Sequence, residues 1–87
     1  MALDIGEGHG ALIVHAGADL EGDEVEVVRD SDGWRTHVAV LARERGDGVA
    51  HAAVFGSLPK GSYRLLGAGA DHSVRIEAGA ITEVRAE

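Results

Sequence analysis

Residues 52–66, AAVFGSLPKGSYRLL, are the stretch that decides the fold of this chain. The pattern is typical of a strand, a tight turn and a second strand. Pro59 fixes the φ that the first central position of a turn requires, and Gly61 accepts a positive φ without a Cβ clash. Polar and apolar residues alternate after the turn, which is the period of a half-buried strand. Phe55 and Tyr63 are two of only three aromatic residues, so we expect the core to be centred on them.

The spacing within this stretch resembles the pattern F-x-x-L-P-x-G-x-Y-x-L of prealbumin-like sandwiches, which include transthyretin-like domains, collagen-adhesin B-type repeats and carboxypeptidase-regulatory-like domains. The matching residues are Phe55, Leu58, Pro59, Gly61, Tyr63 and Leu65. The likeness extends through the flanks, from about residue 10 to the end. The resemblance implies an all-β fold, a seven-stranded antiparallel Greek-key β-sandwich. It implies little about function, because such modules are scaffolds.

Length and composition predict one small domain over residues 11–87, preceded by a flexible, glycine- and acid-rich arm over residues 1–10. The chain has no cysteine, which excludes disulfides and thiolate metal sites. The first residues do not have the pattern of a signal peptide, and no apolar run approaches the roughly 20 residues that cross a bilayer. We therefore expect a soluble, cytoplasmic protein.

The net charge is −7, from 15 acidic and 8 basic residues. This charge repels the phosphates of nucleic acids and of anionic lipids. We therefore expect neither nucleic acid nor a membrane surface to be a partner.

Period-2 alternation and turn residues predict seven antiparallel strands at the spacing of a sandwich. The predicted strands are residues 11–15, 24–29, 34–43, 49–58, 62–66, 72–76 and 80–84. The turn at residues 30–33 joins the second and third strands, and Val25 and Val27 are expected to face the core. Residues 67–71 are expected to form a Gly/Ala turn, and the last two strands a hairpin around residues 77–79.

The central hairpin, residues 34–58, is apolar on both faces. A three-residue turn at 46–48 predicts Arg43 opposite His51 and Leu41 opposite Ala53. One face then carries valines and alanines, while the other carries Leu41 and Phe55. A sheet exposed on a monomer is polar outside, so we expect the outer face to be covered by another strand or by a second subunit. The predicted interaction surface consists of Trp34, His37, Val38, Val40, Ala52 and Val54.

Trp34 follows a turn at the start of a predicted strand. A large indole in a small domain is usually mostly buried, so it is interpreted as a core residue. The alternative is an exposed anchor for a partner.

The residues that could carry chemistry form no recognised catalytic or metal motif, and no cofactor is predicted. The five histidines lack HxH or HxxxH spacing, and His37 and His51 are predicted to lie too far apart to share a metal. The segment 30–33 resembles part of a calcium loop, but position 39 is alanine where a glutamate is required. The acidic run is read as a solvated loop, with a patch for a cation or a basic partner as the alternative. Its members are Asp19, Glu21, Asp23, Glu24 and Glu26.

No serine lies in a G-x-S-x-G motif. Transthyretin-like hydrolases end in Tyr-Arg-Gly-Ser, whereas this chain ends in Val-Arg-Ala-Glu, which argues against that activity. The sequence thus predicts a non-enzymatic β-sandwich module for protein–protein interaction or self-association, with a homodimer as one form of the latter. The alternative is an accessory protein that binds a small ligand or metal through His37, His51 or the acidic loop.

Overall fold

The structure, a computed structural model, describes residues 8–67 and 70–86. Over these residues the chain forms eight β-strands, a single 3-10 turn at Ala18–Leu20 and no α-helix. The strands are β1 (His9–Ala16), β2 (Glu24–Arg29), β3 (Arg35–Ala39), β4 (Leu41–Arg45), β5 (Gly48–Pro59), β6 (Gly61–Gly67), β7 (Ala70–Ile76) and β8 (Ile81–Arg85). The prediction of an all-β sandwich is confirmed.

Two four-stranded sheets face each other across one core. Sheet A has the strand order β4-β5-β1-β8, and sheet B has the order β3-β2-β6-β7. All neighbours pair antiparallel except β1 and β8, which are parallel. The prediction of seven antiparallel strands is therefore wrong in the number of strands and in the direction of one pair.

The predicted strand over residues 34–43 is broken at Val40. Its side chain is fully buried, and its N–H donates to the carbonyl oxygen of Asp23 at 2.8 Å. The Val40 carbonyl in turn accepts a hydrogen bond from the N–H of Gly22 at 2.8 Å. These contacts hold Val40 in the core between the two sheets, so β3 joins sheet B and β4 joins sheet A. This division produces the eighth strand.

The β4–β5 hairpin has a two-residue turn, Gly46 and Asp47, where three residues were predicted. Arg43 consequently pairs with Ala50, and Leu41 pairs with Ala52. The predicted pairing is wrong by one residue. Because side chains alternate with a period of two, such a shift moves a residue to the opposite face of the sheet.

Residues 52–66 place their two aromatic side chains in the core, as predicted. Phe55 on β5 and Tyr63 on β6 are 3% and 0% exposed. Leu58 and Leu65 are buried beside them. The chain bends at Lys60 and passes from sheet A to sheet B, so the two strands face each other across the core and are not paired in a hairpin.

Tyr63 ties this bend to the core. Its hydroxyl donates to the carbonyl oxygen of Pro59 at 2.6 Å, an arrangement like the tyrosine corner of other sandwiches. Burial raises the pKa of the Tyr63 phenol, which keeps it protonated as a donor at neutral pH. Gly61 has a φ of +146°, in the range where glycine is favoured, as the sequence predicts.

The start of β1 lies against the turn that precedes β8. Residues 1–7 of the predicted arm lie outside the described part, whereas His9 and Gly10 belong to β1. A Cβ at Gly10 would overlap the backbone oxygen of Glu77, so only glycine fits against that turn.

The predicted pairing of the last two strands is wrong. β7 lies in sheet B beside β6, while β8 crosses to sheet A and pairs with β1. The turn at Glu77 makes this crossover, and the N–H of Gly79 donates to the carbonyl oxygen of His9 at 2.8 Å. Positions 68–69 of the predicted Gly/Ala turn lie outside the described residues.

Candidate interaction surface

The outer face of sheet A is built by alternation along four strands. Leu12 and Val14 on β1 are fully buried, so Ile13 and His15 point to the opposite side. The strand register places the other outward residues beside them. We call this set the outer A face: Leu41 and Arg43 on β4; Ala50, Ala52 and Val54 on β5; Ile13 and His15 on β1; Ile81, Glu83 and Arg85 on β8.

The centre of the outer A face is a shallow depression of about 300 Å³. It is lined by Ile13, His15, Arg43, Ala50, Ala52, Val54 and Glu83. Because an alanine side chain ends at Cβ, Ala50 and Ala52 leave space between the longer side chains around them. The depression therefore has a small apolar floor and charged groups at its rim.

Two sets of polar atoms border the depression. The Nε2 of His15 and the Oε1 of Glu83 are 2.7 Å apart. The Nε of Arg43 is buried and has no hydrogen-bond partner within the described part of the chain. A buried donor without a partner costs about 1–3 kcal/mol.

The outer A face is apolar at its edges as well as in its centre. Leu41 on one edge strand is 50% exposed, and Ile81 on the other is 48% exposed. Between them lie Ile13, Ala50 and Val54, which are half-buried, and Ala52, which is buried. Exposed large apolar side chains beside an alkyl floor are a feature of interaction sites.

The outer face of sheet B is of the opposite character. Val28 in its centre is half-buried and pairs with Arg35 on one side and Arg64 on the other. Glu26 lies 3.6 Å from Arg35, and His37 is also exposed on this face. The centre of the outer face of sheet B is thus flanked by arginines, whereas the centre of the outer A face is lined by alkyl groups.

Most of the acidic residues lie off the outer A face. The outer A face carries two arginines and one glutamate, although the whole chain has a net charge of −7. The excess of acid therefore lies elsewhere, including the exposed Asp19, Glu21 and Asp23.

The six residues predicted as an interaction surface do not share one face. Ala52 and Val54 lie on the outer A face. Val40 is a core residue, and Val38 is half-buried and packs against the core. His37 is exposed on β3 in sheet B, and Trp34 precedes that strand. The difference follows from the break at Val40, which sends the two halves of the predicted strand to different sheets.

Several residues of the outer A face were missed by the sequence prediction. Leu41 was assigned to the opposite side of the hairpin because the register was wrong by one residue. Ile13 and His15 were not considered, although their alternation with two buried residues of β1 is visible in the sequence. Arg43 and Glu83 border the same depression only because β1 pairs with both β5 and β8.

Trp34 is exposed at 40%, so its interpretation as a buried core residue is wrong. Its ring lies edge-on to Tyr63, with centroids 6.4 Å apart and an interplanar angle of 75°. The guanidinium of Arg29 lies 5.4 Å from the Trp34 centroid, within range of a cation–π contact. The indole therefore covers one end of the core while keeping an open side.

The turn between β2 and β3 is held by Asp32. Its carboxylate accepts two hydrogen bonds from Arg29, at 2.8 and 3.0 Å, and one from the N–H of Trp34 at 3.1 Å. These bonds lower the pKa of Asp32 to about 2, with Arg29 as the largest cause. The segment is thus a hairpin turn, as predicted.

Three histidines lie beside single glutamates. Besides His15 with Glu83, the Nε2 of His51 is 2.9 Å from the Oε1 of Glu21. The Nε2 of His37 is 3.7 Å from the Oε1 of Glu24. The side chain of His72 lies outside the described part. Within residues 8–67 and 70–86, no three His, Cys, Asp or Glu side chains lie close enough together to hold a metal ion.

Comparison of the chain with protein-family models, with curated proteins and with solved structures finds no match. In the part of the chain that the structure describes, no helix is long and apolar enough to cross a membrane.

Proposed function

We propose that this chain is a non-enzymatic β-sandwich module that binds another protein, or a second copy of itself, through the outer A face. The observation that carries the proposal is the contrast between its two outer faces. The outer face of sheet B is charged, as expected of a sheet in water. The outer A face has an apolar centre and exposed Leu41 and Ile81 at its edges.

The finer fold that we propose is prealbumin-like. The support is the placement of the six residues that carry the resemblance. Phe55 and Leu58 lie near the end of β5 in sheet A, and Tyr63 and Leu65 lie in β6 of the facing sheet B. The bend between the two strands is closed by the hydrogen bond from the Tyr63 hydroxyl to the Pro59 carbonyl oxygen.

The chemistry of the depression supports a binding role over a catalytic one. Its seven lining residues include no hydroxyl or thiol that could act as a nucleophile. The His15–Glu83 pair lies at its rim beside mostly alkyl surface. A floor of alkyl groups with a charged rim is the usual composition of a protein-binding patch.

Sedimentation velocity over a range of protein concentrations tests the proposal. Val54→Glu places a charge in the centre of the outer A face, and we expect it to weaken association at least about tenfold. Val28→Glu is the matched control, because Val28 is a half-buried valine on a central strand of the other sheet. Equal effects of the two substitutions on a dimer of the chain, or no effect of either on that dimer, would refute a role for the outer A face in self-association.

A second candidate is a small ligand or metal ion bound by the rim of this depression or by the histidines. It is favoured by the Nε of Arg43, which has no partner, and by the contact of His51 with Glu21. Thermal unfolding in the presence of zinc, calcium or nickel tests its metal form. A ligand at 100 times its Kd adds about 2.7 kcal/mol of stability, so unchanged melting temperatures would exclude metal binding.

A further inference from the structure

We propose that the partner on the outer A face is a second copy of this chain. A two-fold axis that lies in the plane of the face relates the two copies, so that their outer A faces pack together with the strands crossing at nearly a right angle. The proposal rests on the proposed function and adds the occupant and its orientation. It follows from the positions of Arg43 and Glu83, which lie at diagonally opposite corners of the face.

The register defines these corners. Leu41, Ala52, His15 and Arg85 form one row across the four strands. Arg43 lies two residues to one side of this row on β4, and Glu83 lies two residues to the other side on β8. Because strands are about 4.8 Å apart and two residues span about 6.6 Å, the two positions are roughly 20 Å apart in a flat sheet. Their midpoint falls between Ala52 and His15.

A two-fold axis through this midpoint, along the other diagonal, exchanges the two corners. Arg43 of each copy then lies over Glu83 of the other copy, which gives two opposite-charge pairs. The guanidinium group of Arg43, which borders the depression, then lies beside a carboxylate. Because the separations along and across the strands are nearly equal, the axis runs at about 45° to the strands. The two sheets therefore cross at about 90°, one of the two common angles of sheet packing.

The same axis brings apolar groups together. In the flat-sheet geometry, Leu41 of one copy falls between Val54 and Ile13 of the other copy. Leu41 is half exposed and the other two line the depression. Each copy would thus fill the depression of the other with a leucine side chain. Charge and shape lead to the same orientation.

The charge distribution favours a second copy as the occupant. The outer A face carries an arginine and a glutamate at opposite corners, so a second copy supplies the opposite charge at each of them. A self-complementary patch is the requirement for a two-fold interface. The face spans about 20 Å in each direction, roughly 400 Å² in projection. With both copies counted this is about 800 Å², below the roughly 1,200–2,000 Å² of stable interfaces, so we expect a weak dimer that dissociates on dilution.

Charge reversal tests the orientation, with sedimentation velocity as the readout. R43E places two glutamates together in each pair, and E83R places two arginines together. We expect each variant alone to dimerise at least about tenfold more weakly than the unchanged chain. An equimolar mixture of the two variants restores both pairs in the heterodimer, so we expect it to associate about as strongly as the unchanged chain. R75E, on the outer face of sheet B, is the control and should leave association unchanged.

The outcomes separate this proposal from the function on which it rests. Failure of the mixture to associate, with a dimer that Val54→Glu still disrupts, would overturn the orientation and leave the proposed function standing. A dimer unaffected by Val54→Glu would overturn both. An unchanged chain that stays monomeric at every concentration would overturn the second copy as occupant. Melting temperatures verify that the variants fold. If R43E or E83R does not fold, R43Q and E83Q replace the two charge-reversed variants.

Discussion

Replacing Tyr63 by phenylalanine tests whether the bend between the two sheets is held by a hydrogen bond. The substitution removes one oxygen atom and keeps the ring that is fully buried in the core. It also keeps the edge-on contact with Trp34. What is lost is the hydrogen bond to the carbonyl oxygen of Pro59, which is short at 2.6 Å.

The magnitude follows from the surroundings of that carbonyl. A hydrogen bond contributes about 0.5–1.5 kcal/mol net, and a buried acceptor left alone costs about 1–3 kcal/mol. Pro59 is half-buried, so water can reach part of its surface, and we expect a loss of about 1.5 kcal/mol in the free energy of unfolding. In a domain of this size, 1 kcal/mol shifts the melting temperature by about 4–8 °C. The expected decrease is therefore about 6–12 °C.

Urea unfolding followed by far-ultraviolet circular dichroism measures this loss. The midpoint should fall while the dependence on urea stays the same, because the surface exposed on unfolding does not change. Tyr63→Leu is the comparison variant, since it removes the ring as well and should cost more. A Tyr63→Phe protein as stable as the unchanged chain would refute the view that this hydroxyl ties the two sheets together.

Two further predictions concern the turns. Gly10→Ala should lower the free energy of unfolding by about 1–3 kcal/mol, because a Cβ there overlaps the backbone of Glu77. Gly46→Ala is the control and should be nearly neutral, because the space around Gly46 is open. Equal melting temperatures of the two variants would contradict the close approach of Gly10 to Glu77. Asp32→Asn should be less stable than the unchanged chain above about pH 4, since the lowered pKa of Asp32 means that the folded state favours its charged form. The stabilisation by Asp32 is lost as the pH falls towards 2, so the melting temperatures of the unchanged chain and of Asp32→Asn should converge there. A difference in melting temperature that does not depend on pH would argue against the ion pair with Arg29.

The core and the turns were largely predictable from the sequence, because they depend on neighbouring residues. Phe55 and Tyr63 are the largest apolar side chains beside a Pro-x-Gly bend, and both are buried. The turn at residues 30–33 and the inward valines of β2 follow the same local rules. Trp34 is the exception: the same reasoning expects it inside, but Arg29 and Tyr63 hold it across the end of the core with one side open.

The interaction surface was predictable only in part. Ala52 and Val54 were identified from the apolar alternation of β5. The partners Ile13, Arg43 and Glu83 come from three other strands, and their meeting depends on which strands pair. A turn of two residues in place of three was enough to move Leu41 from the expected inner face to the outer A face.

By itself, the sequence determined that this chain is a β-sandwich, that its core surrounds Phe55 and Tyr63, and where most strands begin and end. These properties arise from backbone preferences and side-chain alternation over a few residues. Only the tertiary structure decided that Val40 divides one strand between two sheets, that β8 pairs with β1 in parallel, and that the outer A face is assembled from four separate strands. Those choices depend on the burial of residues far apart in the chain, which local patterns do not encode.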